Sequence, residues 1–382
     1  MKKLRLLPSI LPLVLTILFA GSLRAQNVPV AGVAQRRLAH LQHGINASDW
    51  FAQVYDPKGY TKEHLETWMT AQDIALIKSM GFDNVRLSVN PQPMFRHGHA
   101  DELPSDYLGY LDAAVKMILD QGLAVTIDLH PESDFKAKLG SDDDFVEQFC
   151  EFWRALAHHY STQNPDLVFF EILNEPEIRD RYRWFGIQAK VAAAIREGAP
   201  QHTIIAAGAR YSADDELLFL EPLADPNVIY NFHFYDPAIF THQGATWAVN
   251  FWHNEKAGLA YPSNRESAEK IAAQVSEEVN RLYILRYGTE HWDAAKIDTE
   301  ISLVADWGKR RNVPVICNEF GVFRRYADPQ DRAAWIHDVR TSLEHHGMGW
   351  AMWDYNGGFG VVTKTNGTTV PDEVTLKALG LR

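Results

Sequence analysis

The sequence predicts an α/β fold: a (β/α)8 TIM barrel, single-domain, with a long loop insertion after strand 6. Three observations carry this. Short apolar runs alternate with longer segments of helical periodicity along nearly the whole chain. The apolar runs are almost continuous in Val, Ile, Leu and Phe, as in parallel strands buried on both faces. Polar residues of catalytic type gather at the C-terminal ends of these runs, the rim where barrel active sites lie. A doubly wound open sheet is the main rival, and no glycine-rich phosphate turn follows the first strand to support it.

Taken in order, "LQHGIN" (41–46) reads as the first strand, and residues 62–80 carry apolar positions at helical spacing up to the stop at Gly81. "NVRLSV" (84–89) is the second strand, 106–120 a helix ended by Gly122, and "AVTIDL" (124–129) the third strand. Residues 143–160 are helical and "LVFFEIL" (167–173) is the fourth strand, followed by a helix over 184–197. "TIIAAG" (203–208) is the fifth strand, 213–221 a short helix, and "VIYNFHF" (228–234) the sixth strand. A helix over 298–310 precedes "VPVICNE" (313–319), one over 330–346 precedes "GWAMWDY" (349–355), and 372–379 is a last helix. About 63 residues between the sixth strand and the helix before the seventh break the repeat. They are expected to form a βα loop on the catalytic face with its own helix near 264–287; Trp247 and Trp252 are candidates to stack on a ligand there.

Residues 1–25 have a basic start, an apolar run from Leu6 to Ala20 and small residues before a cleavage point at Ala25 or Ser22, the pattern of a secretory signal peptide. The expected domain division is 1–25 signal peptide and 26–382 barrel. The apolar run is short for a membrane span and contains Pro8 and Pro12, so an uncleaved anchor is the weaker alternative. The expected location is secreted or periplasmic, with no stable membrane association after cleavage. The net charge of −12 becomes −16 once the four basic residues of the leader are removed, which argues against a nucleic-acid partner. The expected state is a monomer without cofactor. Of the two cysteines, Cys317 lies inside an apolar run, where a buried free thiol is expected in preference to a disulfide with Cys150.

The informative residues fall at strand ends. Arg86 is in the second strand; Asp128 and His130 close the third; Asn174 and Glu175 the fourth; His233 and Tyr235 the sixth; Asn318 and Glu319 the seventh; Trp353, Asp354 and Tyr355 the eighth. Singly, Arg86 could be a structural ion pair, His130 a satisfied core histidine and Trp353 core packing. Structural accidents, however, would scatter over both ends of the barrel. Glu175 and Glu319 come from strands roughly opposite each other, and two carboxylates facing over a cleft are the equipment for cleaving a glycosidic bond. One must donate a proton and the other must stay ionised, so their surroundings should differ. Arg86 and Tyr235 are candidates to hold Glu319 ionised, His233 to orient Glu175, Asn174 to bind the 2-hydroxyl of the sugar, and Trp353 to form the floor beneath the ring.

"EILNEPE" and "VICNEFG", with the intervening "HFY", resemble glycoside hydrolase family 5, the cellulase family. "VRLSV" around Arg86, "DLH" ending at His130 and "AMWDY" around Trp353 match its other motifs in order. The resemblance implies a retaining double displacement, with Glu175 as acid/base and Glu319 as nucleophile. It implies supporting roles for Arg86, His130, Asn174, His233, Tyr235 and Trp353. It favours endo-acting hydrolysis of β-1,4-glucan, a polysaccharide partner. β-Mannan, xyloglucan and β-1,3-glucan stay open at this point. A metal-dependent barrel using His130, Glu175, His233 and Glu319 as ligands, and a non-catalytic carbohydrate-binding barrel, are the rivals from other classes.

Overall fold

The computed structural model describes residues 32–247, 258–365 and 367–381; the expected leader, 1–25, and Trp252 lie outside them. Eight parallel strands close into a barrel in chain order. They are β1 (His43–Phe51), β2 (Asn84–Val89), β3 (Ala124–Leu129), β4 (Val168–Glu171), β5 (Thr203–Ala207), β6 (Val228–Phe234), β7 (Val315–Phe320) and β8 (Gly349–Met352). The first and last strands pair directly, His43 to Trp350 through Ile45 to Met352. Closure leaves no open edge among the eight.

The helices come in sequence order around the barrel. They are α1 (Val33–Arg37), α2 (Lys62–Thr67), α3 (Ala71–Ser79), α4 (Ser105–Asp120), α5 (Ser133–Ser141), α6 (Asp143–Tyr160) and α7 (Arg181–Gly198). After β5 follow α8 (Asp214–Leu217), α9 (Ala238–Thr241), α10 (Arg265–Ala272), α11 (Glu278–Thr289), α12 (Ala294–Arg311), α13 (Pro329–His345) and α14 (Glu373–Ala378). Their starts are set by local chemistry. Asp142 accepts from the amides of Asp144 and Phe145 to open α6, and Asp180 caps α7 through Tyr182 and Arg183. At Gly198 a Cβ would lie 2.4 Å from the Arg154 carbonyl oxygen, so the end of α7 packs on α6 only with glycine there.

Three expectations are corrected. The helix read over 62–80 is two helices, because Thr70 and Asp73 form a capping box that starts α3 afresh. The helix read over 264–287 is also two, α10 and α11, with Val275 buried in the turn between them. An additional helix, α5, and a two-stranded antiparallel hairpin, β9 (Val362–Thr365) with β10 (Thr368–Pro371), have no counterpart in the sequence reading. Cys150 and Cys317 are both buried free thiols.

The barrel interior is layered. At its N-terminal mouth Leu38 and Leu41 plug an apolar layer of Ala124, Phe169, Ile205, Ile229 and Ile316. Side chains alternate along each strand, so the interior positions further along include Arg86, Asp128, Glu171 and Asn231, all fully or almost fully buried. Above this polar layer the strand ends open into the site. The apolar plug seals the floor of the charged layer from water at the bottom, so the charges meet solvent only through the C-terminal rim.

Candidate active site

Arg86 organises the centre. Its guanidinium binds Glu171 through two parallel bonds, Nε to Oε2 and Nη2 to Oε1, each 2.8 Å. It also donates through Nη1 to Glu319 Oε2 at 2.9 Å and to Asn46 Oδ1 at 2.8 Å, and through Nη2 to Asn174 Oδ1 at 2.9 Å. Asp128 Oδ2 lies 3.1 Å from Nη2. Arg86 reaches Glu319, but its bidentate partner is Glu171. Asn231 and Asn318 donate to the same carboxylate at 3.0 and 2.7 Å. Glu171 thus gives the buried cation a compensated anchor and leaves one edge of the guanidinium for Glu319.

The histidine tautomer next door follows from donor and acceptor roles. Arg86 can only donate, so the Asn174 amide turns its oxygen toward it and its nitrogen toward His130 Nε2, 3.0 Å away. Nε2 therefore accepts, and Nδ1 carries the hydrogen and donates to Asp128 Oδ2 at 2.9 Å. Burial, then the charges of Arg86 and Lys136, hold the imidazole well below its usual pKa, so His130 is neutral. Asn174 keeps a second amide hydrogen that this network does not consume.

Glu175 follows the end of β4 with φ +44°, a left-handed conformation that non-glycine residues rarely adopt. That twist lets Asn174 and Glu175, adjacent in sequence, both join the site. Glu175 Oε1 lies 3.0 Å from His233 Nδ1, and the carboxyl remains 27% exposed to the cleft. His233 is buried, which pushes its pKa down to about 4 against the opposing pull of Glu319. Its Nε2 has no hydrogen-bond partner among the described residues.

Glu319 reaches the interior by a different device. β6 pairs with β7 as Phe232 to Cys317 and then His233 to Glu319, so Asn318 is an extra residue, a β-bulge. The bulge turns Asn318 and Glu319 inward together, one onto Glu171 and the other onto Arg86. Tyr235 donates its hydroxyl to Glu319 Oε1 at 2.8 Å. Burial raises the pKa of both Glu175 and Glu319, and the charge of Glu175 adds to the rise on Glu319. Glu319 has a guanidinium and a phenol hydroxyl at contact, whereas among the described residues Glu175 pairs with a neutral imidazole. A proton shared by the pair therefore rests on Glu175.

Trp353 is 9% exposed and packs with Ala245, Phe323, Phe359 and Tyr235. Its indole lies near-parallel to His130, with ring centroids 5.7 Å apart. All eight residues singled out from the sequence, Arg86, His130, Asn174, Glu175, His233, Tyr235, Glu319 and Trp353, therefore belong to one connected cluster. Trp247, expected to stack on ligand from the long loop, is 61% exposed and stands edge-on to Phe323 at 4.9 Å. One donor atom each from Glu175, His233 and Glu319 lies within 4.8 Å of the others. As a metal site this set lacks His130, whose two nitrogens are occupied by Asp128 and Asn174, and Arg86 already supplies the positive charge on Glu319.

A family model described as cellulase (glycosyl hydrolase family 5) matches residues 50–358. The chain belongs to glycosyl hydrolase family 5. Among curated relatives, endoglucanase C of Acetivibrio thermocellus is 29% identical over 324 residues, covering 83% of this chain and 92% of that one. Cellodextrinase A of Ruminococcus flavefaciens is 27% identical over 315 residues, 80% of this chain and 82% of that one. Among solved structures, the cellulose synthase subunit Z of Clostridioides difficile superposes with a TM-score of 0.71 at 26% identity, covering 89% of this chain and 99% of that one. This family 5 glycoside hydrolase carries a buried polar layer, Asn46, Arg86, Asp128, Glu171, Asn231 and Asn318, beneath the other seven residues read from the sequence. Glu171 is the functional residue that sequence reasoning missed. The available signal was its parity with Phe169 in "VFFE", which places a carboxylate inside the barrel opposite Arg86.

Proposed function

We propose that the chain is an endo-acting β-1,4-glucanase that hydrolyses with retention of anomeric configuration by double displacement. The observation that carries this is the approach of the two carboxyls, with an oxygen of each inside a 4.8 Å group. Retaining enzymes place the pair about 5–5.5 Å apart, and inverting enzymes about 6.5–9.5 Å, to admit a water between them. In this reading Glu319, held ionised by Arg86 and Tyr235, attacks the anomeric carbon. Glu175, holding the proton, delivers it to the departing oxygen. Once Glu319 is esterified its charge is gone, the proton affinity of Glu175 falls, and Glu175 can take a proton from the water that attacks the ester. The second amide hydrogen of Asn174 is free to bind the sugar 2-hydroxyl, and Trp353 forms the floor under the ring.

The named activities of the relatives, endoglucanase and cellodextrinase, support β-1,4-glucan as substrate class. Export on a leader spanning 1–25 and action as a monomer belong to the same proposal; a single chain supplies every residue of the site. The direct test is proton NMR of the first product from a soluble β-1,4-glucan, run beside β-mannan, xyloglucan and β-1,3-glucan. A β reducing end from the β-1,4-glucan, with a 2-deoxy-2-fluoro cellobioside label mapping to Glu319, is the expected result. An α product, or a label elsewhere, overturns the mechanism; preferential turnover of another glycan overturns the substrate.

A further inference from the structure

Lys136 on α5 takes no part in the contacts described so far, yet its side chain is only 5% exposed. Its Nζ pairs with Glu177 Oε1 at 3.2 Å, and Ser133 Oγ donates to the same oxygen at 2.8 Å. A buried ammonium is costly and is ordinarily tolerated where its charge is used. Glu177 follows Glu175 across Pro176, so this ion pair is built onto the turn that carries Glu175. We propose that Lys136 and Glu177, an ion pair built onto the turn that carries Glu175, are an opposed pair of positioning charges that tune Glu175 for its two proton transfers. The proposal rests on the reading of Glu175 as acid/base.

The other charged and titratable groups around Glu175 come from several elements. From β2, Arg86 is committed to Glu171 and Glu319. After β3 stands His130, and on β6 His233, both held neutral by burial. Glu319 on β7 and Tyr235 beyond β6 form the other side, and the exposed Tyr211 after β5 feels the charges of Glu177 and Glu175. On Glu175 itself burial is the largest influence and raises the pKa; the Lys136 ammonium is the strongest opposing one, His130 and Arg86 oppose burial less, and Glu177 pushes upward again. The Lys136 side chain, 5% exposed, lies out of bulk solvent, and its charge also bears on Asp128, His130 and His233. An acid that must both give and retake a proton benefits from an affinity near working pH, and two opposed charges outside the hydrogen-bonded cluster adjust it without disturbing contacts to sugar.

The signs are opposite and can be read in the alkaline limb of kcat/KM on an unactivated cello-oligosaccharide. In Lys136→Met the ionised form of Glu175 loses a stabilising cation, the acid form persists higher, and the limb moves to higher pH. In Glu177→Gln the limb moves to lower pH, and in Lys136→Arg it stays in place. Displacements above about 0.3 pH unit, a twofold rate change at fixed pH on the limb, are resolvable. A purely structural role lowers the rate at all pH values without moving the limb. Unmoved limbs in both charge-changing variants, or displacement in one common direction, overturn the proposal. If Lys136→Met does not fold, an unmoved limb in Glu177→Gln alone overturns it. Glu175→Gln keeps the two readings apart. It should abolish turnover of the oligosaccharide while sparing the first-turnover burst of dinitrophenol from an aryl cellobioside, whose leaving group needs no proton, although the second step still lacks its base; if the burst is lost as well, the acid/base assignment itself has failed.

Discussion

Replacing Tyr235 by Phe isolates one bond of the proposed nucleophile. The hydroxyl donates to Glu319 Oε1 at 2.8 Å, and burial, then the Glu319 carboxylate, hold the phenol far above its usual pKa, so it is a donor at every working pH. The ring is held edge-on by His242 and Phe359, at 4.9 and 6.0 Å between centroids, contacts that Phe retains. What is lost is one charge-assisted hydrogen bond, about 1.5–3 kcal/mol for a bond to an ionised group. The donor stabilises only the ionised form of Glu319. Without it the carboxyl holds its proton to higher pH, and the acid limb of kcat/KM moves upward. On the acid side, where Glu319 competes for a proton, the loss is about 10- to 150-fold, shrinking toward alkaline pH. A pH profile on a cellobioside with a good leaving group removes the acid requirement and reads Glu319 alone. An acid limb that stays in place while the variant keeps its melting temperature would refute the claim that Tyr235 maintains the ionised nucleophile.

Arg86→Met should destabilise the fold by about 3–5 kcal/mol, because it strands Glu171, with its side chain 1% exposed, beneath Asp128 and Glu319. Chemical denaturation of the variant should show this at pH 7, and a loss below about 1 kcal/mol would contradict the buried network as drawn. Trp247→Ala should leave the melting temperature nearly unchanged, since the ring is 61% exposed and stands edge-on to Phe323; calorimetric binding of a cello-oligosaccharide to a Glu175→Gln background should weaken by about 1–3 kcal/mol if the indole stacks on sugar.

The strand pattern was legible because its signal is strong. β2, β3 and β6 occupy the ranges read from the sequence, each an apolar run cut off by a polar or glycine-containing turn. The eight site residues were legible because polar groups at the ends of such runs are expensive unless used. α5 was not: "SDFKAKLGS" buries Phe135, Lys136 and Leu139 and exposes the rest, too few apolar positions over too short a span to register as a period. The division at Trp68–Thr70 depends on a capping box inside an apolar pattern that continues across it. Glu171 was passed over because Glu175, four residues on, lay at the strand end where function was sought.

The remaining gap concerns alternation. Strict period-two reading lets one of two adjacent residues face the barrel interior. Yet this site takes both members of Asn174–Glu175 and both of Asn318–Glu319. The first pair is delivered by the left-handed backbone of Glu175, φ +44°. The second is delivered by the extra residue in β7 opposite the step from Phe232 to His233. In each case the asparagine turns toward the buried charges, Asn174 to Arg86 and His130 and Asn318 to Glu171, while the glutamate is left at the cleft. The two local irregularities therefore perform the same task on strands far apart around the barrel. Each joins a carboxyl of the proposed catalytic pair to an amide fixed in the rigid network below it. Regular strands would put one residue of each pair among the helices, and the carboxyls could then be present in the sequence without ever facing one another.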